Sequence, residues 1–376
     1  MTRRLPTHLP TLDGWRAVAV LLVIWHHMMA GLFPNEADYW ANPARFGAFG
    51  VDVFFGISGL LITSRLLEEQ KLRGSISLSS FYIRRVFRIL PPAYLLVVVT
   101  ALCGLTAGLL DTLGSLFFFR NYLPVGVVAR ATEHLWSLAV EEHFYLLWPP
   151  ALVFFFLKRG PRAVAWTAIL FALWRIGWSE FQQENGITPT VLPHFRTDLR
   201  LDALLWACVA AFLLHDDRIR EKLQRYINGR TIMIGIGAIV LCVVLYSPLT
   251  GIWLAMLIPL VLAGSVLNPG SLVGRILEMR PFVWIGRMSY SLYLWQQIFL
   301  PPAWDGPVAI WRMLPWNLMG LLLCACASYY LLERPLTKWG HRLARKAEST
   351  TTPSTASARR QDSICVTSAV AGQELP

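Results

Sequence analysis

A first membrane helix is predicted by the stretch Leu12-Asp-Gly-Trp-Arg-Ala-Val-Ala-Val-Leu-Leu-Val-Ile-Trp-His-His27. This apolar run carries Arg16 near its start and His26 and His27 at its end. Ionisable side chains are costly at membrane depth, so those found there usually serve a function. About three helical turns separate Arg16 from His27, which places both on one face about 16 Å apart. One end of this face suits an anion and the other suits proton transfer. The alternative, an arginine that reaches the headgroups and a histidine that bonds a neighbouring helix, stays open.

The composition is that of a membrane protein. The 376 residues are 55% hydrophobic and only 15% charged, with a mean hydropathy of +0.48. The net charge of +11 comes from short Lys and Arg clusters between apolar runs, which is the positive-inside pattern, so nucleic-acid binding is not expected. The six cysteines are scattered without metal-ligand spacing, so neither a metal site nor a disulfide framework is predicted.

An all-α, polytopic fold of about ten transmembrane helices is predicted from successive apolar segments of bilayer-spanning length. These segments are 14–33, 47–67, 89–109, 136–157, 163–179, 199–214, 231–247, 251–267, 281–300 and 311–332. A weaker run at 112–123 contains Arg120 and Asn121, and we interpret it as re-entrant or interfacial.

The loops rich in Lys and Arg all fall on one side of this arrangement, which predicts that both termini are cytoplasmic. Residues 1–11 are then an N-terminal cytoplasmic tail, and residues 12–340 form the membrane domain. Residues 341–376 become Ser/Thr-rich and aperiodic, and we expect a disordered cytoplasmic tail there.

Arginines gather near the predicted cytoplasmic face. Arg84, Arg85 and Arg88 join Arg16 there, and Arg84 and Arg88 share a helix face at i, i+4. Guanidinium groups repel one another unless they meet an anion, and their fork geometry suits phosphate. A phosphorylated ligand is therefore predicted. The alternative for at least one of them is a contact with anionic membrane lipid.

Histidines and carboxylates gather toward the predicted outer half, where they could line one hydrated cavity. The candidates are His27, Asp52, His134, Glu141, Glu142, His143, Arg196, Asp198, Arg200 and Asp202. A histidine beside carboxylates is typical of an oriented general base. For Asp198, Arg200 and Asp202 an internal salt-bridge network is an equal alternative.

Two further stretches carry predictions. The segment 50–59 places small residues where helices can approach closely. The segment 284–295 contains Ser289, Tyr290 and Tyr293, whose hydroxyl and aromatic groups suit either a sugar or interfacial packing.

Taken together, these motifs resemble the acyltransferase-3 family of bacterial integral membrane proteins, which includes O-antigen and exopolysaccharide O-acetyltransferases. The resemblance covers residues 12–335. It is carried by Leu12 to Arg16 with His27, by 50–62 and 81–91, and by 134–145, 284–295 and Glu333-Arg-Pro335.

The resemblance implies a multi-pass protein of the bacterial inner membrane with acetyl-CoA as co-substrate and no bound cofactor. The acyl group passes to a hydroxyl, commonly on a carbohydrate or lipid-linked sugar at the outer side. In the family pattern an Arg or Lys precedes a His by eleven positions, which selects Arg16 and His27. Members commonly have Glu-Gln where this chain has Glu142-His143. Many members also carry an SGNH-hydrolase-like domain after the membrane part. We expect no such domain in this chain, so its membrane part would act alone or with a periplasmic or envelope-biosynthesis partner.

The resulting hypothesis is an O-acyltransferase in which His27 is the base, oriented by Asp52 or Glu142. Arg16, Arg84, Arg85 and Arg88 would hold the CoA phosphates. The acceptor site or a structural polar network would use Glu141, His134, Arg196, Asp198, Arg200, Asp202, Ser289, Tyr290 and Tyr293. Direct transfer and a covalent acyl-enzyme on Ser58 or Ser137 both stay open. The rival hypothesis is a transporter or flippase of a polar or lipid-linked sugar.

Overall fold

The computed structural model describes residues 9–32, 44–186, 191–247, 249–300 and 313–351, and these form helices without strands. In chain order the helices are α1 (Pro10–Leu32), α2 (Arg45–Ala48), α3 (Gly50–Arg73), α4 (Leu78–Leu102), α5 (Leu109–Leu116), α6 (Leu135–Ala151), α7 (Leu157–Glu184), α8 (Leu201–His215), α9 (Asp217–Tyr226), α10 (Gly229–Leu245), α11 (Thr250–Leu267), α12 (Leu272–Leu277), α13 (Arg280–Arg287), α14 (Ser289–Phe299), α15 (Trp316–Ala327) and α16 (Arg334–Thr351). The predicted all-α class is confirmed.

Five helices of the described chain are long and apolar enough to cross a membrane. A sixth crossing results if α9 and α10, which are bent by 85°, count as one broken span. The predicted number of ten is therefore not confirmed. The shortfall arises because several predicted segments contain helices shorter than a bilayer requires: α8 has 15 residues, and segment 281–300 divides at Met288 into α13 and α14. The cytoplasmic location of the termini stays a prediction.

Helix α3 lies at the centre of the packing, against α1, α8 and α11. Its glycines allow these close approaches. A Cβ at Gly59 would lie 2.3 Å from the carbonyl oxygen of Leu204 on α8, and one at Gly56 would lie 2.9 Å from Ile258 on α11. The prediction that small residues of segment 50–59 permit close helix packing is confirmed.

Helix α4 begins eleven residues before the apolar segment predicted at 89–109. Ser77 caps it by accepting a hydrogen bond from the Ser80 backbone N–H. The polar turns after this cap belong to the same helix as the apolar part. Helix α4 therefore fixes the directions in which the side chains of Arg84, Arg85 and Arg88 leave its axis.

The segment between α4 and α6 folds around a buried ion pair. Arg120, which is 2% exposed, donates from Nε to Asp111 at 3.0 Å. It also donates to the carbonyl oxygens of Ala129 and Glu133 at 2.5 and 3.1 Å. The weak run at 112–123 thus forms α5 and a short 3₁₀ turn rather than a span, and the polar residues that interrupt it hold this loop together.

The predicted disordered tail begins too early. Helix α16 continues to Thr351 and packs along α4, where the Ser80 hydroxyl donates to the Ala344 carbonyl at 3.1 Å. Glu348 accepts from Arg73 at 2.7 Å and from Arg84 at 3.1 Å. These ion pairs tie α16 to α3 and α4. Residues 352–376 lie outside the described chain.

Candidate active site

A cavity lies between α1, α3, α4, α6 and α14. Three arginines and one carboxylate face it together with several hydroxyl groups. They are Arg16, Arg85, Arg88, Glu141, Ser58, Ser137, Tyr145, Ser289, Tyr290 and Tyr293. Residues far apart in sequence thus meet in one pocket, and its charged groups carry a net positive charge.

Arg85 and Arg88 face the cavity from α4 without an ion-pair partner among the described residues. The Arg85 guanidinium carbon lies 4.7 Å from the centre of the Tyr145 ring, which leaves its N–H groups available to an anion. Arg16 faces the cavity from α1 and bonds Asp13 at 3.1 Å. Convergent guanidinium groups of this kind suit a phosphorylated ligand.

Arg84 is not part of this cluster. It pairs with Glu348 at 3.1 Å and lies 3.8 Å from Glu69, on the side of α4 that faces α16. The expectation that Arg84 and Arg88 act together on one face is corrected, because the face turned inward is the i, i+3 pair of Arg85 and Arg88.

Glu141 forms a hydrogen-bonded cluster at the cavity wall. The Ser58 hydroxyl donates to Glu141 at 2.7 Å, and the Tyr145 hydroxyl donates to the other carboxylate oxygen at 3.2 Å. Ser58 also lies 2.9 Å from the Tyr145 oxygen. Ser58 is therefore held at the arginine end of the cavity.

His27 lies at the other end of the α1 face that begins at Arg16. Its ring nitrogens are 3.3 and 3.5 Å from Nε2 of Gln297 on α14. Ser289, Tyr293 and Gln297 recur every four residues on α14, so one face of this helix leads from the cavity to His27. Helices α1 and α14 thus run side by side. Their shared face connects the predicted anion end at Arg16 with the predicted proton-transfer end at His27.

The predicted orientation of His27 by Asp52 or Glu142 is not the arrangement found. Asp52 pairs with Arg200 at 2.8 Å, and one buried oxygen of Glu142 has no hydrogen-bond partner in the part of the chain that the structure describes. The contact of His27 is the Gln297 amide. Its neighbour His26 turns away and bonds the Ala44 carbonyl at 2.8 Å.

The polar candidates near α8 form separate ion pairs and hydrogen bonds and do not line the cavity. Asp202 pairs with Arg175 at 3.3 Å, and Arg196 pairs with Asp198 at 2.7 Å. His143 bonds Thr197 at 2.7 Å. The salt-bridge alternative therefore describes Asp198, Arg200 and Asp202 better than a shared cavity does, and Arg196 is the partner of Asp198.

The hydroxyl groups of α14 belong to the same cavity as the arginines. Tyr290 donates to the Ile89 carbonyl at 2.7 Å, and Tyr293 donates to the His134 carbonyl at 2.7 Å. Ser289 lies beside them. His134 itself is buried next to the Tyr293 ring, with 5.3 Å between ring centres.

Two residues of this region were missed by the sequence analysis as site candidates. Tyr145 positions Ser58 and Glu141, and Gln297 contacts His27. Helical spacing offers a signal for both: Tyr145 follows Glu141 by four positions, and Gln297 follows Tyr293 by four.

Comparisons with known proteins point to one family. The Acyltransferase domain model of the acyltransferase-3 family matches residues 9–333. The putative peptidoglycan O-acetyltransferase YrhL of Bacillus subtilis is 30% identical over 89% of this chain and 56% of its own length. The peptidoglycan O-acetyltransferase OatA of Listeria monocytogenes is 28% identical over 90% and 57%.

The O-acetyltransferase OatA of Staphylococcus aureus is 30% identical over 90% of this chain and 58% of its own length. The chain thus spans little more than half the length of these relatives. No solved structure matches the chain. Because the family model covers nearly all of the described helices, the chain belongs to the acyltransferase-3 family.

Proposed function

We propose that this chain is an O-acyltransferase of the bacterial inner membrane, with acyl-CoA as donor and a hydroxyl of a cell-envelope carbohydrate as acceptor. The main support is the cavity into which Arg16, Arg85 and Arg88 converge. An acetyl group and a peptidoglycan-like acceptor are proposed because the relatives bear those names.

The donor would bind with its phosphates on the three arginines. The hydroxyls of Ser58 and Tyr145 lie at this end, where both donate to the Glu141 carboxylate. The pantetheine arm would then follow the face shared by α1 and α14 and bring the thioester to His27, about 16 Å from Arg16. Acyl-CoA is consumed as a co-substrate, and no bound cofactor is needed.

The chemistry at the far end would be direct acyl transfer. His27 accepts the proton of the acceptor hydroxyl while its oxygen attacks the thioester carbonyl. The new C–O bond replaces the C–S bond, and the departing thiolate takes the proton from His27. Direct transfer is proposed instead of an acyl-enzyme because both candidate serines are bonded to other groups. Ser58 lies at the phosphate end and donates to Glu141, and the Ser137 hydroxyl is 2.5 Å from the Tyr293 hydroxyl.

The test uses purified full-length protein in lipid nanodiscs with acetyl-CoA and solubilised peptidoglycan fragments. We expect saturable acetyl-CoA binding, and release of free CoA that depends on the fragments. The transporter alternative predicts passage of sugar across proteoliposomes without CoA release, and that result would overturn the proposal. In cells, a deletion strain should lose O-acetyl groups from its envelope glycans and regain them on complementation.

A further inference from the structure

Helix α16 carries a row of cations on its outward face. Arg334, Lys338, Arg342 and Arg345 are all exposed, and they recur at steps of four, four and three residues. At about 100° per residue, their side chains leave the helix axis within a sector of about 80°. Glu348, the one carboxylate in the sequence of α16, pairs instead with arginines of α3 and α4. The outward face of α16 therefore carries charge of a single sign.

Internal ion pairs do not balance this row. None of its four members forms an ion pair within the parts of the chain that the structure describes. Like charges one helical turn apart repel each other, so an external anion would stabilise the row. The amphipathic helix α9 differs, because its exposed Arg218 and Lys222 share the helix with Asp217 and Glu221. Charge is compensated locally on α9 and left uncompensated on α16.

The row begins where the outer surface changes from apolar to charged. Helix α15 continues into α16 without a break, and the helical stretch Trp316–Glu348 has 33 residues. This length is about 50 Å, whereas the hydrocarbon core of a bilayer is about 30 Å thick. Large side chains that point outward before Glu333 include Leu323 and Leu331, which are 68% and 78% exposed. The cations that follow from Arg334 onward thus begin at the edge of the hydrocarbon.

An aromatic pair marks the same depth independently. The Trp284 Nε1 of α13 donates to the Tyr330 hydroxyl at 3.1 Å, and both side chains are partly exposed. The Arg334 guanidinium carbon lies 6.0 Å from the centre of the Tyr330 ring. Trp and Tyr combine an apolar ring with a polar tip and are enriched at the level of the lipid headgroups. Arg334 therefore lies at headgroup depth.

We propose that the outward face of α16 binds the headgroup of an anionic phospholipid, with Arg334 and Lys338 as its first contacts. The guanidinium fork of Arg334 suits a phosphate, and Lys338 adds a point charge one turn further along. The acyl chains would lie against the apolar surface at Leu331. Arg342 and Arg345 extend the positive field beyond the headgroup, as basic segments next to a membrane helix do when they attract anionic lipid. This inference goes beyond the proposed function and does not depend on acyl transfer.

The test measures the affinity of the purified full-length protein for phosphatidylglycerol and for phosphatidylcholine by native mass spectrometry. The unchanged protein should bind phosphatidylglycerol at least about tenfold more tightly. The variant Arg334→Gln/Lys338→Gln should lose most of this preference. The matched control, Arg218→Gln/Lys222→Gln, removes the same two charges at the same spacing from α9 and should keep the preference within about twofold.

Hydrogen exchange locates the lipid without a substitution and decides the matter even if the α16 variant does not fold. Residues 334–345 of the unchanged protein should exchange at least a few-fold more slowly in nanodiscs of phosphatidylglycerol and phosphatidylcholine than in phosphatidylcholine alone, and residues 217–226 should not change. Equal affinity for the two lipids, or unchanged exchange at 334–345, would overturn the inference. An equal loss of preference in both variants would also overturn it, since that indicates a diffuse attraction by net charge.

Discussion

Arg85 and Arg88 face the cavity, whereas Arg84 beside them is paired with Glu348 and Glu69. Charge-assisted hydrogen bonds contribute about 1.5–3 kcal/mol. Arg85→Ala or Arg88→Ala should therefore weaken acetyl-CoA binding about 10- to 100-fold, as measured by calorimetry. Lys at either position should restore only part of the affinity, since a point charge does not reproduce the guanidinium fork. Arg84→Ala is the control and should bind acetyl-CoA nearly normally. Equal losses at Arg84 and Arg88 would contradict this assignment.

Asp52 and Arg200 form a buried ion pair, and both side chains are 8% exposed. Removing one partner of such a pair costs about 3–5 kcal/mol because a buried charge is left without compensation. Asp52→Ala should therefore lower the thermal stability of the purified protein. The double variant Asp52→Ala/Arg200→Ala should be less destabilised than the sum of the single variants. Strict additivity in this double-mutant cycle would show that the pair does not contribute as a unit.

Sequence patterns identified many of the polar residues at this scale but not their partners. The eleven-residue step from Arg16 to His27 follows from helical geometry alone, whereas the pairing of Asp52 with Arg200 joins residues 148 positions apart. Periodicity placed Arg84 and Arg88 on one face without indicating which face of α4 turns inward. That choice depends on Glu348, whose helix was not predicted.

Helices are the elements that sequence predicts best, and their ends are predicted less well. Hydropathy located the apolar cores of α1, α3 and α11 closely, because burial in lipid requires a long apolar run. It missed the polar starts of α4 and the whole of α16, since these amphipathic turns are stabilised by packing against each other.

Helix α16 supports a prediction at this scale. Truncation after Gly340 removes the contacts of Ala344 and Glu348 with α4, so the melting temperature should fall by several degrees. Truncation after Thr351 keeps those contacts and is the matched control. Equal melting temperatures for both truncated proteins would show that this part of α16 does not stabilise the bundle.

The topology of the whole molecule can be tested with reporter fusions. The basic loops predict that reporter fusions after Arg73, Arg162, Arg230 and Thr351 all report the cytoplasm. Large apolar side chains that point outward, such as Leu146, Phe154 and Trp166, fit a lipid-facing surface. A periplasmic signal at any of these four fusions would contradict the predicted arrangement of the segments.

Acyl transfer along the shared face of α1 and α14 is the central claim for the whole molecule, and adjacent histidines allow a direct test. His27 contacts Gln297 at the end of this face, whereas His26 bonds the Ala44 carbonyl. The decisive measurement is the rate of CoA release from acetyl-CoA, with solubilised peptidoglycan fragments as acceptor, for His27→Ala and His26→Ala. His27→Ala should lose about 10²-fold or more in rate while acetyl-CoA binding persists, and His26→Ala should keep substantial activity. An inactive His26→Ala beside an active His27→Ala would contradict the account.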